Sequence, residues 1–151
     1  MANTQAIADS FRSELLSGIH AFGTTVIRAG TTKDSFKAAL YLATATMNAT
    51  ATVYTVTNEV SGTGYTAGGV AVTNANEPAV ASNVGYWTPS AALAWTTVTL
   101  ATAFDAVLLY NSTQGNKAVA VFTFGSQTIT AGNFSLTMPT NNQTTGLLRL
   151  A

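Results

Sequence analysis

Charge is the scarcest property of this chain. Six Lys and Arg residues and six Asp and Glu residues make up 8% of its 151 residues, and the formal net charge is zero. Average proteins are about 25% charged. Enzymes mostly work with titratable groups in pairs and clusters, and few are present here to be arranged. We therefore do not expect an enzyme. The lack of a basic excess also removes the usual electrostatic basis for nucleic-acid binding.

The residue types that most often bind transition metals are also rare. The chain has no Cys and a single His, His20. Structural zinc sites need several thiolate or imidazole ligands, which one His cannot supply. The six acids are scattered and form no calcium-binding loop. We therefore expect no metal and no cofactor, and we predict that His20 lies on the surface or at the end of a helix.

Long apolar runs are missing as well. No run approaches the roughly 20 residues of a membrane-spanning helix, so no membrane partner is expected. The first residues show no basic stretch followed by an apolar one, which is the pattern of a secretory signal. The expected place of synthesis and folding is therefore a cytosol.

Threonine and alanine are the most abundant residues, with 27 and 26 copies respectively. Thr favours strands because it is β-branched, and its hydroxyl group remains compatible with water. A neutral polar surface can lie against another protein without the cost of burying ions. The composition favours a β scaffold that makes protein contacts.

The N-terminal part predicts a helix over residues 4–17. Ile7, Phe11 and Leu15 follow one another at four-residue spacing and therefore share one face, and Gly18 is a suitable stop. We treat residues 1–22 as a helical arm and residues 23–151 as a β-sandwich domain. The apolar stripe is expected to dock either onto the sheet of its own subunit or onto a neighbour.

The remainder of the chain predicts strands separated by turn-forming residues. The predicted strands are 36–42, 53–57, 70–73, 95–100, 104–110, 117–124, 134–138 and 147–150. About eight short strands without intervening helices indicate a mainly β fold, namely an antiparallel β-sandwich, a jelly-roll-like domain or a barrel, with one N-terminal helix. The most apolar strand, 104–110, should form a hairpin with 117–124 across a turn at 112–116.

Two local features have structural rather than chemical interpretations. Residues 62–69 are rich in Gly, but their spacing fits no phosphate-binding loop and a strand follows them, so we predict a turn or loop with positive φ at several positions. Asp105 interrupts an apolar strand. It either faces water, most simply at the outer end of the strand, or is buried beside a partner such as Arg28 or Arg149.

Three aromatic residues, Tyr86, Trp87 and Trp95, lie close together in the sequence. They could form a platform on which a sugar stacks, but core packing or subunit contact is the favoured interpretation. The residues predicted to form a protein interface are Ile7, Phe11, Leu15, Tyr86 and Trp87.

Several segments, taken in order and at their spacing, resemble a family of small virion structural proteins of tailed bacteriophages. The segments are residues 11–20, 36–41, 54–69, 107–112 and 117–126. The resemblance covers nearly the whole chain. The stretch 59–69 is its most specific part, and residues 80–90 depart from the pattern.

The resemblance implies a virion component without enzymatic activity. The expected role is a capsid decoration (cement) protein on the capsid surface, made in the host bacterial cytoplasm, that binds and stabilises the lattice of the major capsid protein. It would act as a homo-oligomer, with a trimer as the first guess. A tail or head–tail connector protein and a receptor- or sugar-binding module remain alternatives.

Overall fold

The computed structural model describes residues 2–16, 18–24 and 33–151, and in them the chain is mainly β, as the sequence predicts. Two antiparallel sheets, of five and three strands, are accompanied by one short helix. In chain order the elements are β1 (Ala6–Ile7), α1 (Asp9–Leu16), β2 (Phe36–Leu42), β3 (Val70–Ala71), β4 (Ala79–Ala81), β5 (Val84–Trp87), β6 (Leu93–Asn111), β7 (Lys117–Leu136) and β8 (Leu148–Leu150).

The hairpin of β6 and β7 forms the centre of the larger sheet, whose strand order is β1-β7-β6-β2-β3. Its turn at 112–116 lies where the sequence predicts it, and Asn111 pairs with Lys117 at its base. Positive φ angles at Gly115 and Asn116, 64° and 59°, allow the chain to reverse there. β2 pairs with the half of β6 nearest this turn, from Phe36 opposite Asn111 to Leu42 opposite Phe104.

The two strands of this hairpin are longer than predicted. The predicted strands 95–100 and 104–110 are one strand of 19 residues, and 117–124 and 134–138 belong to one strand of 20 residues. Gly125 and Gly132 are residues that favour turns, but they lie within β7. The β6–β7 pairing changes register several times in this region. A bulged strand accepts Gly without leaving the ladder, because its partner strand still satisfies the flanking backbone groups.

The N-terminal segment adds to the larger sheet before it becomes helical. Ala6 and Ile7 pair with Val121 and Ala120, so α1 begins at Asp9 rather than near residue 4. The acidic side chain of Asp9 in the first turn favours this start. β1 covers the edge of β7 here and α1 packs against the strand, and the stretch 118–121 is buried.

The smaller sheet has the order β4-β5-β8, and two of its strands were missed in the sequence. β4 and β5 fall between residues 79 and 87, where Asn83 and Gly85 interrupt the alternation of apolar residues. The predicted strand 53–57 is wrong, because there only Val53 makes a bridge, to Lys117.

The glycine-rich loop is confirmed as a tight loop. Gly64, Gly68 and Gly69 have φ angles of 78°, 90° and 70°. A Cβ atom at Gly69 would lie 1.8 Å from the carbonyl oxygen of Ala38, so only glycine fits against β2.

Candidate docking groove

An apolar groove of about 540 Å³ opens between α1, the segment that follows it and the smaller sheet. Its apolar side chains include Phe11, Leu15 and Phe22 on one side and Val80, Tyr86, Trp87, Leu148 and Leu150 on the other. At its rim Val80 is 73% exposed and Leu150 is 45% exposed. Two large aliphatic side chains beside an apolar concavity can both be covered by one partner.

The floor of the groove is held by stacked aromatic rings. Phe22 stacks on Phe36 of β2 with a centroid distance of 4.6 Å, and Trp87 packs against Phe22 at the same distance. The Trp87 indole N–H donates a hydrogen bond to the Asn76 carbonyl oxygen at 3.0 Å. These contacts connect the smaller sheet with the larger one and satisfy the polar atom of the indole, so the floor is preformed.

Four of the five residues predicted to form an interface line this groove, although the sequence places them in two distant segments. They are Phe11, Leu15, Tyr86 and Trp87. Phe11 and Trp87 are only 1% and 3% exposed and serve in the core of the chain itself, while Leu15 and Tyr86 keep accessible surface. The fifth, Ile7, lies in β1. The role of the five as an interface stays a prediction.

His20 lies at the inner wall of the groove and is buried, which corrects the predicted surface position. Its Nε2 lies 2.8 Å from Oε2 of Glu14, and the other Glu14 oxygen accepts a hydrogen bond from Lys117 Nζ at 2.7 Å. The ring packs against Phe11 at a centroid distance of 4.8 Å. The hydrogen-bond partners of His20 are Glu14 of α1 and Asn111 at the end of β6, and the latter is 91 positions away, so no local sequence signal shows this burial.

Asn111 determines which ring nitrogen of neutral His20 carries the proton. The Asn111 side-chain oxygen accepts hydrogen bonds from the backbone N–H groups of Thr113 and Gln114, both at 3.1 Å. Its amide nitrogen therefore faces His20 Nδ1 at 3.0 Å and Asp34 at 2.8 Å. Because this nitrogen donates, Nδ1 must accept, and the proton of neutral His20 resides on Nε2, which donates to Glu14.

Burial and hydrogen bonding set the charges in this cluster. Burial lowers the pKa of His20 below its ordinary value and outweighs the opposite influence of the Glu14 carboxylate. Burial raises the pKa of Glu14, but the hydrogen bonds from Lys117 and His20 outweigh it, so the net pKa is lowered. The cluster therefore holds a neutral imidazole between an ionised carboxylate and an amide, an arrangement that fixes α1 to the hairpin turn.

A third buried carboxylate, Glu59, lies outside this cluster, and no sequence pattern indicated its burial. It accepts hydrogen bonds from the hydroxyl groups of Tyr54 and Tyr65, at 2.6 and 2.7 Å, and from the backbone N–H of Gly68 at 2.8 Å. Burial, followed by the bond to Glu59, raises the pKa of both tyrosines. The carboxylate organises the loop 54–69 and is fully occupied in doing so, which gives it a structural role.

The structure gives the positions of the aromatic residues proposed as a sugar platform and of Asp105. Trp95 is buried and packs against Phe134 at 5.7 Å, so Trp95 and Trp87 do not present open ring faces for a sugar. Asp105 lies inside β6 rather than at an outer end, and it accepts a hydrogen bond from Asn3 Nδ2 at 2.5 Å.

The two arginines proposed for Asp105 do not supply its observed contact. Arg149 donates to the Thr144 carbonyl oxygen at 2.6 Å, and Arg28 lies outside the described residues.

Within residues 2–16, 18–24 and 33–151, no group of three or more His, Cys, Asp or Glu side chains is placed to hold a metal ion. In the same part of the chain, no helix is both long and apolar enough to cross a membrane.

Comparisons of the chain with protein-family models, with curated proteins and with solved structures found no match.

Proposed function

We propose that this chain is a non-enzymatic bacteriophage virion structural protein, a capsid decoration protein that binds and stabilises the lattice of the major capsid protein. The observation that carries the proposal is the docking groove, which is apolar, preformed and open at Val80 and Leu150. The resemblance of most of the chain to small phage virion proteins supports the same function.

The chemistry of the groove suits a contact with a protein surface. Fully burying a Val or Leu side chain stabilises a contact by about 1.5–3 kcal/mol, and no desolvation of a charge opposes it at Val80 or Leu150. Tyr86 adds a large amphipathic ring of the kind that anchors interfaces. A groove of this kind would receive an apolar side chain or turn of the capsid lattice.

Decoration would stabilise the capsid by mass action. A protein that binds only the mature shell shifts the equilibrium toward that shell, and many copies on one particle add their contributions. Because the groove contact is neutral, capsid binding should change little with ionic strength, unlike an ionic cement.

The experiment that tests the proposal compares two exposed valines. Val80 at the groove and Val56 outside it are 73% and 69% exposed, so Val80→Asp and Val56→Asp introduce the same charge at similarly accessible sites. Binding to purified mature capsids that lack the protein is measured by co-sedimentation. We expect Val80→Asp to weaken binding at least about tenfold and Val56→Asp to leave it unchanged.

Other outcomes separate the parts of the proposal. Equal binding by the two variants would exclude the groove as the contact. No binding of the unmodified protein to capsids would exclude decoration. An electron-microscopy map of the intact particle that showed only a few copies at a vertex or on the tail would favour the connector or tail alternative.

A further inference from the structure

The edges of the two sheets are protected very unequally. Four of them are formed by strands of two or three residues, namely β1, β3, β4 and β8, and β8 also carries Arg149. Short edge strands and charged residues are the usual means by which proteins prevent unwanted strand pairing. Among the described residues, two longer stretches of the hairpin lie beyond these strands. One is residues 93–103 of β6, where the loop residue Thr63 bridges Thr99. The other is the outer side of β7, a strand of 20 residues.

β7 is covered on its outer side only near the hairpin turn. β1 pairs with Ala120 and Val121, and the segment before residue 54 reaches β7 at Lys117 and Ala118. From residue 122 to Leu136, the strand pairings of the described residues connect β7 with β6 alone. We call residues 122–136 the free edge.

The described residues Gly23 and Asp34 lie at the turn end of the hairpin. Gly23 N donates to Asn74 Oδ1 at 2.7 Å, and Asn74 Nδ2 donates to the carbonyl oxygen of Asp34 at 3.1 Å. Asp34 in turn accepts from Asn111 beside the turn. Gly23 and Asp34 thus lie near the turn rather than near the free edge.

The free edge has none of the common protective features except its bulges. It contains no Pro and no charged residue, and the uncharged run extends over residues 118–148. The inner side of its strand is anchored, because Phe134 packs against Phe104 and Phe124 at 5.1 and 5.3 Å. An anchored strand with unpaired backbone N–H and C=O groups is a template for one more strand.

We infer that the free edge of β7 pairs antiparallel with the free edge of a second copy of this chain, about a two-fold axis. The backbone donors and acceptors of one edge complement those of an identical edge when the strands run in opposite directions. Because every residue of the edge is neutral, no register places like charges opposite each other. A charged partner, by contrast, would find no complementary charge there.

Because both copies use the same edge in this contact, no edge remains for a third copy. The contact therefore produces a dimer and not the predicted trimer. It joins the two larger sheets into one continuous sheet and lies apart from the docking groove, whose lining residues do not include the free edge. The inference therefore does not depend on capsid binding.

The test introduces two lysines on the free edge and compares them with two lysines elsewhere on the same hairpin. The edge variant is Thr128→Lys with Ser135→Lys, and the control is Thr96→Lys with Thr102→Lys on β6. All four positions are exposed, and both variants gain the same charge. Circular dichroism melting checks that both remain folded.

Analytical ultracentrifugation then measures mass against concentration. The unmodified protein and the control should sediment at twice the chain mass of 15.5 kDa, and the edge variant should dimerise at least about tenfold more weakly. Amide hydrogen exchange of the dimer should show protection within residues 122–136 that is lost in the edge variant, while β2 exchanges equally in both.

Three results would overturn the inference. They are a monomeric unmodified protein at all concentrations, a trimer, and an edge variant whose mass and exchange match those of the control. A monomeric edge variant that still binds capsids would leave the proposed function intact. A protein that dimerises but does not bind capsids would support the dimer and exclude the proposed function.

Discussion

The two ends of the β6–β7 hairpin are built on opposite principles. At the turn end, ionisable side chains gather around a buried amide. Glu14 binds His20 and Lys117, and Asn111 joins His20 to Asp34. At the far end the strands carry Thr, Ser, Gln and Asn without any charge, and among the described residues, residues 122–136 of β7 pair with β6 alone. The turn end therefore uses buried acids, Glu14 and Asp34, for internal hydrogen bonding, whereas the far end is uncharged.

The largest expected effect comes from removing the centre of the turn-end cluster. Asn111→Ala should lower the free energy of unfolding by about 3 kcal/mol, because it leaves several buried polar groups without partners at once. Urea unfolding followed by circular dichroism measures the loss.

The far end provides the matched control for that variant. Asn133 is exposed, and its side-chain oxygen accepts one hydrogen bond from Thr97 N at 2.8 Å. Asn133→Ala should therefore cost less than about 1 kcal/mol. Equal losses for the two variants would contradict the contrast between the two ends.

A smaller effect is expected from loosening the aromatic anchor of the far end. Phe134→Ala removes a half-buried ring that packs against Phe104 and Phe124, and it should lower the free energy of unfolding by about 2 kcal/mol. Amide exchange should accelerate in the free edge and remain unchanged beside Asn111. An acceleration that spread equally to the turn end would show that the ends are not separable.

The smallest effect is a dependence on pH that arises at the turn end. The pKa of His20 is lowered from 6.5 in the folded state, so the unfolded chain binds the proton first as the pH falls. The stability that comes from keeping His20 neutral is fully present above pH 6.5. It decreases as the pH falls from 6.5 toward the folded-state pKa. Glu14, whose pKa is lowered from 4.5, adds a further loss at more acidic pH.

The variant His20→Gln isolates the histidine contribution. Unfolding free energies measured across this range should lose the part of the decline that begins near pH 6.5 and keep the part that begins near 4.5. Stability of the unmodified protein that stays constant through pH 6.5 would contradict a neutral, buried His20.

Much of the larger sheet could be predicted because its signals are local. β2 occupies the predicted residues 36–42, since its alternation is regular, and the hairpin turn at 112–116 follows from consecutive turn-forming residues. The positive φ angles of the glycine-rich loop were predicted for the same reason. Alternation and turn chemistry act between neighbours in the chain, so a single sequence displays them.

The errors occurred where distant residues decide the outcome. Gly125 and Gly132 have the local chemistry of turns, but the pairing of Gly132 and of the residues on either side of Gly125 with β6 keeps both in a strand. His20 looks like a residue at a helix end, but a partner 91 positions away buries it. The groove likewise brings Leu15 together with Tyr86. Neither propensity nor periodicity carries information about contacts at such separations.

By itself, the sequence determined the mainly β class, the neutral surface and the position of the central hairpin, because composition and short-range alternation control them. The burial of His20 as a neutral imidazole, the meeting of four predicted contact residues in one groove, and the pairing of residues 122–136 of β7 with β6 alone among the described residues follow from the tertiary structure. These depend on which strands become neighbours, and the burial of the whole chain selects those neighbours through contacts between distant residues.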